Sequence, residues 1–409
     1  MRGVFGFGAL LMLAWVLSER RGAIVWRTVA GGIALQIMLA ALLIGFPPAT
    51  RAVMLLNDAA DTLQRAADVG TGFVFGYLAG PPLPFVEPRP GASFILAFKA
   101  LPLVLVISAL ASLLFHWGVL QAILRAFAWL LRRWLGIGGA LALGAAVHIF
   151  VGMIEAPLLV RPWLARMQRG ELFALMTCGM AGIAGTVMVI YAAILGPVIP
   201  NALGNILIAS VISTPAALAV AALMVPFGES REEARIVLPQ APVSALDAVV
   251  KGTMEGIPVL TGIIAVLLVT IALVTLLNAM LGLLPLAEPL TLQRIFAWPL
   301  RVVVWLIGVP WAEAPVAAGL LATKTVLNEF VAYLDLARLP DGALSAHARL
   351  IMTYALCGFA NFGSLGILIG GLGAMVPERR AEVVALGFRS IVSGTIATCL
   401  SGALAGIIS

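Results

Sequence analysis

Charged residues are scarce in this chain. Only 25 Lys and Arg and 19 Asp and Glu occur among 409 residues, whereas 62% of the residues are hydrophobic and the mean hydropathy is +1.09. A water-soluble domain does not carry so much apolar surface, so the composition excludes that class and predicts an all-α polytopic membrane protein. The net charge of +6 comes from basic residues in short loops, so we expect membrane lipid around the chain and no nucleic-acid partner.

Cysteines and catalytic motifs are also scarce. Cys178, Cys357 and Cys399 lie in apolar segments without the spacing of metal ligands, so we expect small buried side chains and no metal site. The sequence contains neither HExxH nor the nucleophile-elbow pattern. We therefore expect neither an enzyme nor a bound cofactor.

The apolar segments predict about eight transmembrane helices, two interrupted hairpins and several interfacial helices. The predicted spans cover residues 3–18, 24–46, 93–115, 171–195, 206–225, 257–281, 350–372 and 383–408. Residues 51–69, 117–135 and 293–298 have the mixed polar and aromatic content of helices at the headgroup level. Interrupted apolar stretches at 138–168 and 302–336 predict re-entrant hairpins, since lipid tolerates broken helices only where protein or water covers the backbone.

The hairpins divide the chain into an N-terminal part and two repeats. Residues 1–92 hold two spans, the amphipathic helix and a loop, residues 93–251 form the first repeat, and residues 252–409 form the second. Interrupted segments at corresponding positions of two halves are typical of secondary transporters that bind substrate at the membrane midplane.

Basic residues predict the orientation. Thirteen of the 25 lie at positions that the predicted spans and hairpins place on one side: Arg20, Arg21, Arg27, Arg125, Arg132, Arg133, Arg166, Arg169, Arg231, Arg235, Lys251, Arg379 and Arg380. The positive-inside rule makes this side cytoplasmic. Both termini are then external, and the two hairpins enter the membrane from opposite sides.

Two carboxylates, Glu155 and Glu329, stand in apolar stretches at membrane depth. A charged side chain there costs at least about 2.5 kcal/mol, so each is a candidate functional residue. A structural role is the alternative, through an ion pair of Glu155 with Arg161 or a packing salt bridge of Glu329, which follows Lys324 in the sequence.

Polar side chains in the predicted span 350–372 form another candidate group. Asn361 and Ser364 are three residues apart on one helix face, and Phe359 lies nearby. Together with Glu329 they could bind a polyhydroxylated ligand, although such groups often bond only across helices. The role of His148 also has two alternatives, since its side chain could form a hydrogen bond with a carbonyl or titrate as a proton carrier.

Four segments together resemble the concentrative nucleoside transporters. They are Gly-x-x-Glu-Ala-Pro-Leu-Leu-Val-Arg-Pro at 152–162, Ile-Ala-Gly-Thr-Val at 183–187, Asn-Glu-Phe-Val-Ala-Tyr at 328–333 and Gly-Phe-Ala-Asn-Phe at 358–362. The resemblance runs in order from about residue 93 to the C-terminus. It implies a homotrimer in the bacterial inner membrane that imports nucleosides by an ion-driven, elevator-type movement.

The resemblance also implies roles for individual residues. Glu329, Asn361 and Ser364 would hold the ribose hydroxyls, Phe359 would line the site, and Glu155 would lie near the nucleobase.

One motif departs from the family pattern. Where the family has Gly-Gln-Thr/Ser-Glu, this chain has Gly152-Met153-Ile154-Glu155. Met153 and Ile154 replace the groups that would read the polar edge of the base, so we expect weaker recognition of uridine-like bases and a retained ribose half. A purine nucleoside, a more apolar base or another ribosyl compound would fit.

The ion site implied by the resemblance is altered too. The family uses an Asn side chain, a Ser or Thr hydroxyl and carbonyls; here the corresponding positions are His148 and Gly182, with the carbonyls of Val151 and Ala184. Sodium prefers oxygen ligands, so this set favours proton coupling, or no coupling, over sodium. A sodium-coupled symporter and a non-transporting nucleoside sensor or scaffold are the alternatives.

Overall fold

The computed structural model describes residues 2–80, 82–87, 93–228, 242–286 and 288–409, which form helices and connecting turns without strands. The all-α prediction is therefore confirmed. The helices up to the middle of the chain are α1 (Arg2–Val16), α2 (Trp26–Gly45), α3 (Pro47–Phe75), α4 (Leu96–Lys99), α5 (Leu103–His116), α6 (Val119–Leu135), α7 (Gly139–Val147), α8 (Glu155–Leu159), α9 (Arg161–Leu164), α10 (Arg169–Ala181), α11 (Gly185–Leu195) and α12 (Ala202–Met224). The later ones are α13 (Ala245–Leu281), α14 (Leu292–Leu306), α15 (Ala314–Val326), α16 (Glu329–Arg338), α17 (Ala346–Leu356), α18 (Phe362–Met375) and α19 (Arg380–Ile408).

Six segments of the described chain are long and apolar enough to cross a membrane. They cover Trp26–Gly45, Leu96–His116, Arg169–Leu195, Ala202–Met224, Ala245–Leu281 and Pro377–Ile408. Each contains or overlaps a predicted span, and shorter apolar helices such as α1 add to them. The total of about eight spans stays a prediction.

Two predicted spans are broken in the middle, contrary to the sequence prediction. The span 171–195 divides into α10 and α11 around residues 182–184, and the span 350–372 divides into α17 and α18 around residues 357–361. Average hydropathy does not reveal these breaks, because glycines and an N-capping Asn interrupt the helix without lowering the apolar content of the segment.

The predicted limits of the second hairpin were also wrong at one end. Residues 302–306 belong to α14, a continuous helix whose N-terminus is capped by Thr291, the hydroxyl of which accepts the Arg294 N–H at 3.2 Å. The interrupted pair is instead α15 and α16, with its break at Leu327 and Asn328. In the first hairpin the break predicted near Gly152 is present, between α7 and α8.

The same order of elements occurs twice. A long or broken helix (α4–α5), an amphipathic helix (α6), an interrupted hairpin (α7–α9), a broken helix (α10–α11) and a long helix (α12) are followed by α13, α14, α15–α16, α17–α18 and α19. The corresponding helices α5 and α13 pack together, as do α12 and α19. The opposite membrane orientation of the halves stays a prediction; Arg231 and Arg235, two of the residues used for it, lie outside the described residues.

An ionic cluster joins three distant parts of the chain. The Glu19 carboxylate, after α1, accepts hydrogen bonds from Arg169 of α10 at 3.0 and 3.3 Å and from Arg389 of α19 at 2.6 Å. Glu382 continues the cluster, with Arg379 at 2.7 Å and Arg169 at 3.7 Å. The loop after α1 and the N-terminal parts of α10 and α19 therefore lie on the same side of the protein.

We expect Glu19→Gln to lower the melting temperature in a pH-dependent way. The hydrogen bonds from Arg169 hold the pKa of Glu19 below its ordinary value, so the stabilisation is full above that ordinary value and is lost as pH falls through the folded-state pKa. Wild type and variant should thus differ at neutral pH and converge in acid, measured by thermal unfolding in detergent. The exposed Glu378→Gln is the control, and an equal effect of both variants would contradict the prediction.

Candidate functional site

Three of the helix breaks meet in the interior. The N–H of Gly185, at the start of α11, donates to the Phe150 carbonyl in the first hairpin at 3.1 Å. The N–H of Phe359, between α17 and α18, donates to the Gly182 carbonyl at 3.2 Å. Backbone groups freed by the breaks thus satisfy one another, which is the condition for irregular backbone at membrane depth.

Glycines allow this close approach. A Cβ on Gly185 would lie 2.7 Å from the Phe150 oxygen, and one on Gly358 would lie 2.8 Å from the Met180 oxygen and 3.0 Å from that of Ala181. Any other residue at these positions would push the breaks apart.

Glu329 is the buried carboxylate beside this meeting point. It is the first residue of α16, and only 4% of its surface is exposed. Oε1 accepts from the Tyr191 hydroxyl at 2.6 Å, and Oε2 accepts from Asn361 Nδ2 at 3.0 Å. A carboxylate has about four lone-pair sites, so two protein donors leave acceptor capacity for ligand hydroxyls.

Asn361 is the N-cap of α18 rather than a residue within a helix. Its Oδ1 accepts the Ser364 N–H at 2.7 Å while its Nδ2 faces Glu329. Both ends of the amide are thereby fixed, and Ser364 is brought into the same buried corner. Phe359, partly buried, is held two residues before Asn361 by its bond to Gly182.

Tyr191 was missed by the sequence prediction. It lies in the apolar helix α11, 138 residues before Glu329. Its ring packs against the rings of Phe330 and Tyr333 at 5.8 and 5.2 Å between centroids. The available signal is that a Tyr within an apolar span needs a hydrogen-bond partner, but the sequence did not indicate which partner.

The first hairpin places its predicted residues differently. Met153 is buried beside Gly179 of α10, and Ile154 packs closely on Gly371 of α18. Glu155 is exposed, and its carboxylate folds back over Gly152. The hydrogen bonds of the Glu329 carboxylate go to Tyr191 and Asn361 and not to Glu155, so the role of Glu155 near a nucleobase stays a prediction.

The predicted ion-site residues are grouped around the start of the first break. His148 is 3% exposed, its ring carbon Cε1 lies 3.2 Å from where a Cβ of Gly179 would be, and its Nε2 has no hydrogen-bond partner within the described chain. Gly182 is next to the His148 carbonyl, and Val151 is partly buried in the same break. The Ala184 carbonyl accepts from Met188 at 3.1 Å in the first turn of α11, so it takes part in that helix.

A cavity of about 770 Å³ opens elsewhere, between α14 and α15. Trp298, Arg301 and Thr323 are among its lining residues, whereas Glu329 and Asn361 are not. The cavity therefore does not include the buried carboxylate.

Three family models match the chain. Residues 5–78 match the N-terminus of Na+ dependent nucleoside transporters, residues 205–406 match their C-terminus, and residues 97–198 match a model described as nucleoside recognition.

Several curated proteins are similar over nearly the whole chain. The putative nucleoside permease NupX of Escherichia coli is 32% identical over 99% of this chain and 98% of its own length. The nucleoside permease NupC of Helicobacter pylori is 31% identical over 99% of this chain and 96% of its own. Sodium/nucleoside cotransporter 2 of Rattus norvegicus is 32% identical over 98% of this chain and 62% of its own.

Solved structures agree with these sequence matches. CNTnw in an inward-facing substrate-bound state is 35% identical, with a TM-score of 0.90 over 100% of this chain and 98% of that one. A CNTnw variant in an outward-facing state is 34% identical, again with a TM-score of 0.90, over 100% and 97%. These relatives are transporters and not enzymes, and the chain is a multi-pass membrane protein that belongs to the concentrative nucleoside transporter family.

Proposed function

We propose that this chain imports nucleosides or nucleoside-like ribosyl compounds as a secondary active transporter of the bacterial inner membrane. The observation that carries the proposal is the Glu329 carboxylate, which is fixed by Tyr191 and Asn361 and retains acceptor capacity for ribose hydroxyls. Ser364 and Phe359 complete this half of the site. Glu155, Met153 and Ile154 belong to the base half, where the apolar pair supports a preference for bases with fewer polar contacts than uridine.

The mechanism we propose is an elevator-type movement within a homotrimer. The relatives solved in inward-facing and outward-facing states support alternating access. Helix α13 packs mainly on α5 and exposes Leu268, Val269 and Leu273, which gives it an apolar face for lipid or a neighbouring protomer. The residues of the Glu19 cluster lie on the same side of the protein, which supports the orientation in which both termini are external.

Proton coupling is the coupling we propose. At the positions implied for sodium, His148 supplies an imidazole nitrogen and Gly182 supplies no side chain, whereas sodium prefers oxygen ligands. The Nε2 of His148 has no hydrogen-bond partner among the described residues, which leaves it available to a proton. The name of the rat relative favours sodium coupling as the second candidate.

Uptake into proteoliposomes tests the proposal. Labelled purine and pyrimidine nucleosides are offered under an imposed pH gradient or an imposed sodium gradient, each at matched membrane potential. We expect accumulation to follow the pH gradient. Sodium-driven accumulation indifferent to pH would refute proton coupling, and failure of every nucleoside to bind or accumulate would refute the substrate proposal.

Restoring two oxygen ligands should change the coupling ion. In the double variant His148→Asn and Gly182→Ser, we expect sodium to stimulate uptake and the pH gradient to matter less. The Ser fits, because a Cβ on Gly182 would lie 3.4 Å from its nearest neighbours. Each single variant is the control, and unchanged pH dependence of uptake in the double variant would contradict a coupling role for His148.

A further inference from the structure

Lys324 is a fully buried cation without a carboxylate at salt-bridge distance in the described structure. It lies in the last turn of α15, and none of its surface is exposed. Its Nζ donates to the Ala355 carbonyl at 2.8 Å and to the Thr398 hydroxyl at 3.1 Å. The packing salt bridge considered for Glu329 is therefore not the contact that Lys324 makes. A buried ammonium is expensive, so these two bonds call for an explanation.

The bond to Ala355 places the ammonium at the end of a helix. Ala355 is in the last turn of α17, which stops at Leu356. The final carbonyls of a helix lack partners within it and carry partial negative charge, which a cation stabilises. Lys324 thereby caps α17 from the second hairpin, at the point where the chain enters the break that carries Phe359 and Asn361.

The first repeat has a matching arrangement. There His148, at the end of α7, faces Gly179 in the last turn of α10, just before the break at 182–184. Each hairpin thus brings a basic side chain to the C-terminal end of the first half of a broken helix. In the first repeat this side chain is the imidazole of His148. In the second it is the ammonium of Lys324, a cation that is covalently part of the hairpin.

We propose that Lys324 is a built-in cation that positions the 357–361 break for substrate, with Ala355 O and Thr398 Oγ1 as its cation site. Glu329 follows five residues later, as the first residue of α16. Lys324 thereby supports both parts of the ribose half, the carboxylate by placing a positive charge in the same hairpin and Asn361 through the backbone. Because the ammonium fills its site, no mobile ion is needed at the second hairpin. This inference rests on the proposed nucleoside site.

Binding measurements with two variants test the inference. In Thr398→Val the ammonium loses one acceptor, and we expect nucleoside affinity to fall about tenfold, in keeping with a lost bond to a charged group. Thr398→Ser keeps the hydroxyl and should bind as wild type does. Thr177→Val is the matched control, since its hydroxyl bonds Ser393 of the same helix α19 at 2.7 Å.

The Lys324→Ala variant adds a measurement, the rescue of nucleoside binding by added cations. A purely structural role of Lys324 would not produce such a rescue. With the ammonium removed, a small cation can enter the vacated site, so we expect nucleoside binding to be lost and then restored by sodium, potassium or methylammonium chloride but not by N-methylglucamine chloride. Nucleoside binding to the wild type should not show this increase when the salts are added. Wild-type affinity in Thr398→Val, or loss in Lys324→Ala that no cation restores, would overturn the inference. If wild type itself binds no nucleoside, the proposed function fails instead.

Discussion

Replacing Glu329 with Gln is expected to weaken nucleoside binding about 100-fold, because hydrogen bonds to a charged acceptor contribute about 1.5–3 kcal/mol each and the proposed site gives the ribose more than one of them. The amide can keep its local partners, with its oxygen accepting from Asn361 Nδ2 and its NH₂ donating to the Tyr191 oxygen. The variant should therefore fold. What it loses is the negative charge and the spare acceptor sites.

Equilibrium binding of a tritiated nucleoside to purified protein measures this effect. Tyr191→Phe removes one donor that fixes the carboxylate and should weaken binding by about tenfold, a smaller loss than that of Glu329→Gln. Glu255→Gln, which alters an exposed carboxylate of α13, is the control. Wild-type affinity in Glu329→Gln would show that the carboxylate does not hold the substrate.

Gly358→Ala should abolish substrate binding and destabilise the protein as well. The added Cβ would lie 2.8 and 3.0 Å from the carbonyl oxygens of Met180 and Ala181 and 2.9 Å from Thr398 Cγ2. Backbone oxygens of α10 cannot rotate away, so the break must move and the Phe359–Gly182 hydrogen bond must lengthen. Overpacking of this kind destabilises by about 1–3 kcal/mol.

Thermal unfolding and nucleoside binding together measure the Gly358→Ala effect. Gly370→Ala is the matched control, because a Cβ on that glycine of α18 would have open space around it and Ala favours a helix. A melting temperature and an affinity equal to those of Gly370→Ala would mean that the contact between the two breaks does not matter.

The sequence allowed the fold class and the buried acid to be predicted because both depend on strong signals. Long apolar runs identify spans whatever their neighbours are, and Glu329 is conspicuous within one. Asn361 was also named as a candidate, but it was placed inside a helix. Its real position as the N-cap of α18 depends on backbone hydrogen bonding, which hydropathy does not report.

Other features depended on contacts between distant parts of the chain. Tyr191 has a role only because α11 lies beside α16, and the sequence carries no measure of that distance. The start of the second hairpin was misplaced because Val302 to Leu306 is apolar like a hairpin arm, yet it continues the helix that Thr291 initiates. In each case local composition predicted the kind of element but not the elements with which it packs.

Neither repeat contains a whole site. Glu329 and Asn361 come from the second repeat, whereas Tyr191 and the Gly182 carbonyl come from the first. A protein with a single repeat could have built this site only by pairing with a second copy of itself. Because both repeats are parts of one chain, each can carry its own residues, such as the lysine in one hairpin and the histidine in the other.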